Sequence, residues 1–273
     1  MRRALLFSLD RRGELLIIHA ELLAPHVRHG FTTRLGGVSS GPFASLNLSP
    51  RTADQPAKVL ENQNRLAAAL GMETTQMIAG EQVHGSLAHE VLSPPRTDEV
   101  VPGIQIVPGV DVLVTNLEEV VLTAFFADCV PVLLVDPTHK AIALAHAGWK
   151  GTLAGAAGVA LEMLQRRYAT DPAEVLAVLG PAIGPCCYEV GADLAARFRS
   201  IFDERVALGR RLDLRMCNKL QLMKGGVPGH RIHMAPWCTA CHTDLFYSYR
   251  AAAGGVTGRF AAFLALQPTC ASA

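Results

Sequence analysis

The chain has 273 residues, half of them hydrophobic and 18% charged, with a mean hydropathy of +0.25. That composition excludes a disordered chain, because so much apolar surface can offset the conformational entropy of folding. Twenty-five Lys and Arg against 24 Asp and Glu give a net charge of +1 with histidines neutral, so no overall basic field points to nucleic acid or an anionic membrane as partner.

The longest stretch without a charged residue, Leu35 to Pro50, contains Gly36, Gly37, Gly41 and Pro42 and falls short of the ~18 apolar residues of a membrane span. Asp10, Arg11, Arg12 and Glu14 interrupt any apolar core of a secretory signal, and a cytoplasmic protein is expected. Thiols stay reduced there. The seven cysteines, an odd number, therefore suit burial, metal binding or catalysis better than a disulfide framework.

No linker or repeat divides the sequence, which reads as one domain over residues 1–273. After a Gly-rich loop over 34–49, Pro56 opens a predicted helix carrying Val59, Leu60, Leu66 and Leu70 and ending at Gly71. Short apolar runs at 111–115, 120–126, 132–136 and 141–145 predict strands buried on both faces. The last passes through His146-Ala-Gly-Trp-Lys-Gly into a helix from Thr152 to Tyr168. A strand at 175–179, helices at 192–202 and 214–224, and strands at 231–235, 246–249 and 259–264 complete the reading. The irregular order predicts an α+β chain with mixed sheets.

Three residues, each at an expected sheet edge or in a Gly-rich turn from which a side chain can reach a cleft, are candidates for a shared site: His84 in Glu81-Gln-Val-His-Gly85, Cys129 in Ala127-Asp-Cys-Val-Pro131, and His146 in Ala145-His-Ala-Gly-Trp149. Two imidazoles and a thiolate can hold zinc and leave a fourth position open. The same atoms can instead serve as a cysteine nucleophile and its histidine base. Their spacings, 45 and 17 residues, match no short motif, and a core thiol with two unrelated histidines is the plain alternative. The turn from Gly148 through Lys150 to Gly151 offers backbone N–H groups and an ammonium suited to phosphate; a tight turn with a solvated lysine is its structural alternative. Arg34 and Arg250 are further cationic candidates.

Cys238-Thr-Ala-Cys241-His242 spells both a haem-attachment pattern and a CxxC pair, and is read as a buried thiol pair beneath the 246–249 strand. Cys186 and Cys187 are adjacent, and neighbouring side chains of an extended segment point apart, so both are read as structural, as are Cys217 and Cys270.

Several segments in order carry a resemblance to a known family: His29-Gly-Phe-Thr-Thr-Arg-Leu-Gly-Gly-Val-Ser, Ala44-Ser-Leu-Asn-Leu, the His84, Cys129 and His146 segments, Gly180-Pro-Ala-Ile-Gly-Pro-Cys-Cys-Tyr-Glu-Val-Gly, Cys238-Thr, Phe246-Tyr-Ser-Tyr-Arg and Gly258-Arg259. The chain resembles the YfiH/YlmD-like proteins, whose members carry the names multicopper polyphenol oxidase (laccase) and peptidoglycan editing factor. The resemblance implies a single α+β domain layered α/β/β/α, akin to a deamidating bacterial toxin. It implies His84, Cys129 and His146 as zinc ligands and catalytic centre, copper being the second choice of metal. It also implies phosphate-dependent cleavage of purine nucleosides (adenosine, inosine, guanosine, methylthioadenosine) and adenosine deamination. Arg34, Asn47, Lys150 and Arg250 are then expected to hold phosphate or nucleoside. A Cys/His hydrolase or amidase acting on a peptidoglycan precursor is the alternative enzyme. A laccase needs a blue-copper site and a trinuclear cluster, for which ten dispersed histidines without His-x-His pairs are a poor supply.

Overall fold

The computed structural model describes residues 6–94, 103–253 and 255–267; Cys270 lies outside them. In chain order the strands are β1 (Phe7–Arg12), β2 (Leu15–Ala20), β3 (Val27–Thr32), β4 (Met77–Gly80), β5 (Ala88–Glu90), β6 (Gln105–Val107), β7 (Val112–Thr115), β8 (Val121–Phe126), β9 (Val130–Asp136), β10 (Ala141–Ala147), β11 (Leu176–Leu179), β12 (Ala207–Leu208), β13 (Arg211–Leu212), β14 (Ile232–Met234) and β15 (Phe260–Leu266). The helices are α1 (Pro56–Ala69), α2 (Trp149–Leu153), α3 (Ala156–Tyr168), α4 (Ala192–Ile201) and α5 (Leu214–Lys224).

Two mixed sheets hold thirteen of the strands. One runs β1-β2-β3-β15-β8-β4-β6 and the other β14-β11-β9-β10-β7-β5. Side-chain alternation along the central strands sorts the apolar residues into layers. On β8, Leu122, Ala124 and Phe126 face the second sheet, whereas Val121 and Phe125 join Leu66 and Ala67 of α1. On β10, Ile142 and Leu144 meet the first sheet, whereas Ala141, Ala143, Ala145 and Ala147 pack with Ala157, Leu161 and Leu164 of α3. The α+β, α/β/β/α layering follows directly. Small alanines on the outer face of β10 let α3 approach closely, and the bulkier Ile, Leu and Phe fill the space between sheets.

The α1 helix also buries polar residues. Asn62 accepts from the Val38 N–H at 2.8 Å and donates to the Asn47 carbonyl at 2.9 Å, and Gln63 donates to the Leu48 carbonyl at 2.9 Å. These bonds satisfy amides that would otherwise be costly to bury and stitch the Gly-rich loop to the helix.

Three departures from the expected elements stand out. The helix expected from Thr152 to Tyr168 is interrupted at Gly155, whose φ of +85° is left-handed, so α2 and α3 are separate. The expected strand at 246–249 is absent: the Phe246 N–H donates to the His242 carbonyl at 2.9 Å, closing a turn, while Phe246 and Tyr247 are fully buried. Its apolar content reflects packing rather than sheet pairing. Among the described residues, six strands precede residue 110 where none was expected; β1 and β2 form a hairpin around Gly13 at φ +60°, a turn signal that the charged residues of β1 obscure.

Candidate active site

The two sheets bring three strand ends together. His146 lies on β10 opposite Pro131 of β9, with its side chain among the groups between the sheets: its ring centroid is 5.4 Å from that of Phe126. Cys129 follows the crossing from β8 in one sheet to β9 in the other, and His84 follows β4 in a loop. The Nδ1 or Nε2 atoms of His84 and His146 and the Sγ of Cys129 all lie within 4.8 Å of one another. The rings of His84 and His146 meet edge to face, centroids 5.0 Å apart.

The residues that fix this arrangement were not marked by the sequence. Asp111 precedes β7, and its fully buried carboxylate places Oδ1 2.8 Å from His146 Nδ1. A carboxylate only accepts, so Nδ1 carries the proton and Nε2 is left for Cys129 or a metal. Asp111 also accepts from the backbone N–H of His84 at 3.0 Å and of Gly85 at 2.7 Å, so one carboxylate orients two of the three site residues. Gln82 works at the other end of the loop. Its amide donates to the Phe125 carbonyl at 2.7 Å and accepts from the Phe125 N–H at 2.9 Å, imitating a strand partner for β8. Gln82 and His84 are both left-handed, at φ 58° and 64°, a conformation these bonds hold in place.

Asp128, at φ 88°, anchors the turn before Cys129. Its carboxylate accepts from the Thr239 hydroxyl at 2.6 Å and from the Arg250 N–H at 2.7 Å. A Cβ at Gly148 would stand 2.9 Å from Cys129 Sγ and 3.3 Å from His84 Cδ2, so only glycine leaves the thiol its place.

Burial disfavours the Cys129 thiolate, but His146, through its charge and a hydrogen bond, and then His84 bring the thiol down to about 6. Burial likewise opposes the His146 cation, while Cys129 and Asp111 raise it to about 9. Each of the two groups thus favours the charged form of the other. This donor set fits a divalent metal: a soft thiolate, two imidazoles, one of them oriented by a carboxylate, and a glycine that keeps the space clear.

Of the other expected site residues, Arg250 is tied to the Cys129 turn through its backbone N–H and Asp128. Its guanidinium stacks on Tyr188, 5.0 Å from the ring centroid, and donates to the Glu189 carbonyl at 2.7 Å. Arg34 stacks on Tyr247 at 4.6 Å and donates to the Ala44 and Thr243 carbonyls at 2.7 and 2.9 Å. Lys150 is exposed on α2, its ammonium 5.6 Å from the Trp149 ring centroid. Asn47 is fully buried. Its amide donates to Thr52 and Asp54 at 2.8 and 3.0 Å and accepts from the Arg259 N–H at 2.9 Å. Arg259 was not singled out as a site residue. Burial lowers its pKa, and the charges of Cys129 and Asp128 act against that loss, which places this guanidinium in the field of the site.

The cysteines read as structural also change place. Residues 185–187 form a turn, not an extended segment, so Cys186 and Cys187 both approach Cys238 and Cys241; the four Sγ atoms lie within 4.8 Å of one another. Cys241 is exposed, so the expectation of a buried pair beneath a strand does not hold. Cys217 is buried on α5, as expected.

A four-layer α+β sandwich with a His/Cys/His cluster at the junction of its sheets is the class of protein these features define. Residues 28–267 match the family described as "Multi-copper polyphenol oxidoreductase laccase". "Purine nucleoside phosphorylase YlmD" of Geobacillus stearothermophilus is 39% identical over 243 residues, covering 86% of this chain and 88% of the relative. "Purine nucleoside phosphorylase" of Deinococcus radiodurans is 40% identical over 253 residues, 90% and 92% of the two chains. The crystal structure of Bacillus licheniformis hypothetical protein YfiH superimposes with a TM-score of 0.88 at 33% identity, covering 96% of this chain and 99% of that one. The chain belongs to this YlmD/YfiH-like family.

Proposed function

We propose that the protein is a zinc-dependent purine nucleoside phosphorylase that also deaminates adenosine, with His84, Cys129 and His146 as metal ligands and catalytic centre. The observation that carries this reading is the convergence of those three side chains, with Asp111 fixing the tautomer of His146; the names of the relatives supply the substrate class. When bound, the metal supplies Lewis acidity toward an oxygen of substrate or water.

In phosphorolysis a phosphate oxygen forms a bond to the ribose C1′ as the C1′–N9 bond breaks, and the base leaves with the bonding electrons and gains a proton. The protein's part is positioning and charge. Arg250, braced by Tyr188 and tied through Asp128 to the Cys129 turn, is the leading phosphate cation, with Arg34 and Lys150 as further candidates. Asp111 and Gly148 hold the ligands where they are. Asn47 fixes the Arg259 backbone through its side chain, and a role toward ribose would run through that contact. We place the enzyme in the cytoplasm; among the described residues no helix is long and apolar enough to cross a membrane.

A second reading rests on a specific observation: Cys129, His146 and Asp111 are aligned like a nucleophile, its base and the base's orienting group. That arrangement suits a metal-independent hydrolase or amidase. The polyphenol oxidase reading lacks its ligands, because the clusters able to hold a metal among the described residues are one His/Cys/His trio and four cysteines, neither of them a trinuclear histidine site.

Adenosine incubated with metal-replete protein, with and without phosphate, separates these readings. Adenine and ribose 1-phosphate formed only with phosphate, beside phosphate-independent inosine, are expected. Turnover that survives complete chelation, together with a covalent adduct on Cys129, would instead establish the hydrolase.

A further inference from the structure

We infer that Cys186, Cys187, Cys238 and Cys241 form a second, structural metal site, a tetrathiolate zinc centre that clamps two turns flanking the active site. Two pairs of cysteines from distant parts of the chain meet here. Cys241 Sγ lies 3.3 Å from Cys187 Sγ and 3.6 Å from Cys186 Sγ, and all four sulfurs are mutually within 4.8 Å. Zinc–sulfur bonds of ~2.3 Å in a tetrahedron set sulfur–sulfur separations of about 3.8 Å, inside the observed span. Four thiolates around one position favour zinc among the common divalent ions, because soft sulfur ligands select it over the oxygen-seeking cations.

The backbone is arranged to present the thiols. Cys187 and Tyr188 donate their N–H groups to the Gly184 carbonyl at 3.0 and 2.9 Å, folding 184–188 into a turn that brings both adjacent cysteines inward. Cys241 and His242 donate to the Cys238 carbonyl at 3.2 and 3.1 Å, a matching turn across the CxxC. The two turns are joined already: Gly184 N–H donates to Cys238 Sγ at 3.2 Å, and Thr239 N–H to the Ala182 carbonyl at 3.1 Å. Around the cluster, Arg211 donates to the Cys186 carbonyl, and Arg215 lies 3.2 Å from where a Gly184 Cβ would stand. Two guanidiniums thus offset the surplus negative charge of four thiolates and one divalent ion.

Both turns lead into the active site. Thr239, inside the CxxC, gives its hydroxyl to Asp128, the residue before Cys129. Tyr188, next to Cys187, carries the Arg250 guanidinium. A metal at the four cysteines locks these supports while touching no substrate, which is the behaviour of a closed, four-ligand structural site.

Zinc content is measured by mass spectrometry on reduced, dialysed protein, for wild type, Cys129→Ser and the pair Cys238→Ser/Cys241→Ser. Two zinc ions per chain are expected in the wild type and one in each variant. Should the double variant fail to fold, Cys129→Ser reloaded with cobalt reads the site directly: intense sulfur-to-cobalt charge-transfer bands of a tetrathiolate, with four cysteines shielded from iodoacetamide until chelator is added. One zinc in the wild type and none in Cys129→Ser overturns the inference and leaves the proposed catalytic metal standing. One in wild type and in Cys129→Ser, with none in the double variant, supports it and removes the catalytic metal instead. A Cys187–Cys241 disulfide in native, zinc-supplied protein also overturns it.

Discussion

Asp111 Oδ1 and His146 Nδ1 are 2.8 Å apart inside the protein, and the same carboxylate holds the backbone of His84 and Gly85. The site is therefore organised from behind: the residue that sets the imidazole tautomer also sets the loop that supplies the second imidazole.

Replacing Asp111 by Asn keeps the size and removes the charge. Loss of such a partner of a ligating histidine typically costs roughly 10- to 100-fold in metal affinity or activity. We expect kcat to fall by that factor and zinc to be released at lower chelator concentration, the two measured on the same preparation. A variant with wild-type turnover and metal retention would mean that Asp111 only supports the fold.

Gly148 makes the opposite test, since Gly148→Ala adds an atom instead of removing one. The new Cβ would stand 2.9 Å from Cys129 Sγ, so the substitution must push the thiol aside. Misplacement on the scale of 1 Å can cost roughly 100-fold in rate. A fall in kcat of that order with little change in thermal midpoint is expected; unchanged kcat would show that the thiol's position is not demanding.

Acid sensitivity should come partly from His29, far from this chemistry on β3. Burial holds its pKa down to about 4, and its Nε2 accepts the Ala20 N–H at 2.9 Å, so a proton there displaces a hydrogen bond. From pH about 6.5 down to about 4 the unfolded chain binds a proton that the folded chain refuses, so stability falls with falling pH across that window. Urea unfolding of wild type and His29→Gln should show the wild type losing about 2 kcal/mol more between pH 7 and pH 5. Parallel losses would place the His29 pKa near its ordinary value.

Much of the fold was legible where one strand carries its own signal. The runs at 120–126 and 141–145 are apolar on both faces because layers cover both, and α1 opens at Pro56 as read. His84, Cys129 and His146 are legible because each falls at a strand end or in a Gly-rich turn, where a side chain can reach a cleft. Asp111 did not, because its role exists only once β10 pairs with β7, Ala145 opposite Val112, a contact between residues far apart in sequence. The extended conformation expected of Cys186 and Cys187 fails for a local reason: adjacency separates side chains in a strand but not in a turn, and the Gly184 carbonyl that makes the turn leaves no trace in the composition. Phe246 and Tyr247 show the converse, an apolar stretch buried by packing without joining a sheet.

The most direct test of the central claim compares wild type with Cys129→Ser for zinc content and for phosphate-dependent release of adenine and ribose 1-phosphate from adenosine. The account predicts that the variant holds one equivalent of zinc less than the wild type and loses phosphorolysis with it. A variant that keeps the full zinc content, or phosphorolyses adenosine at the wild-type rate, would contradict it.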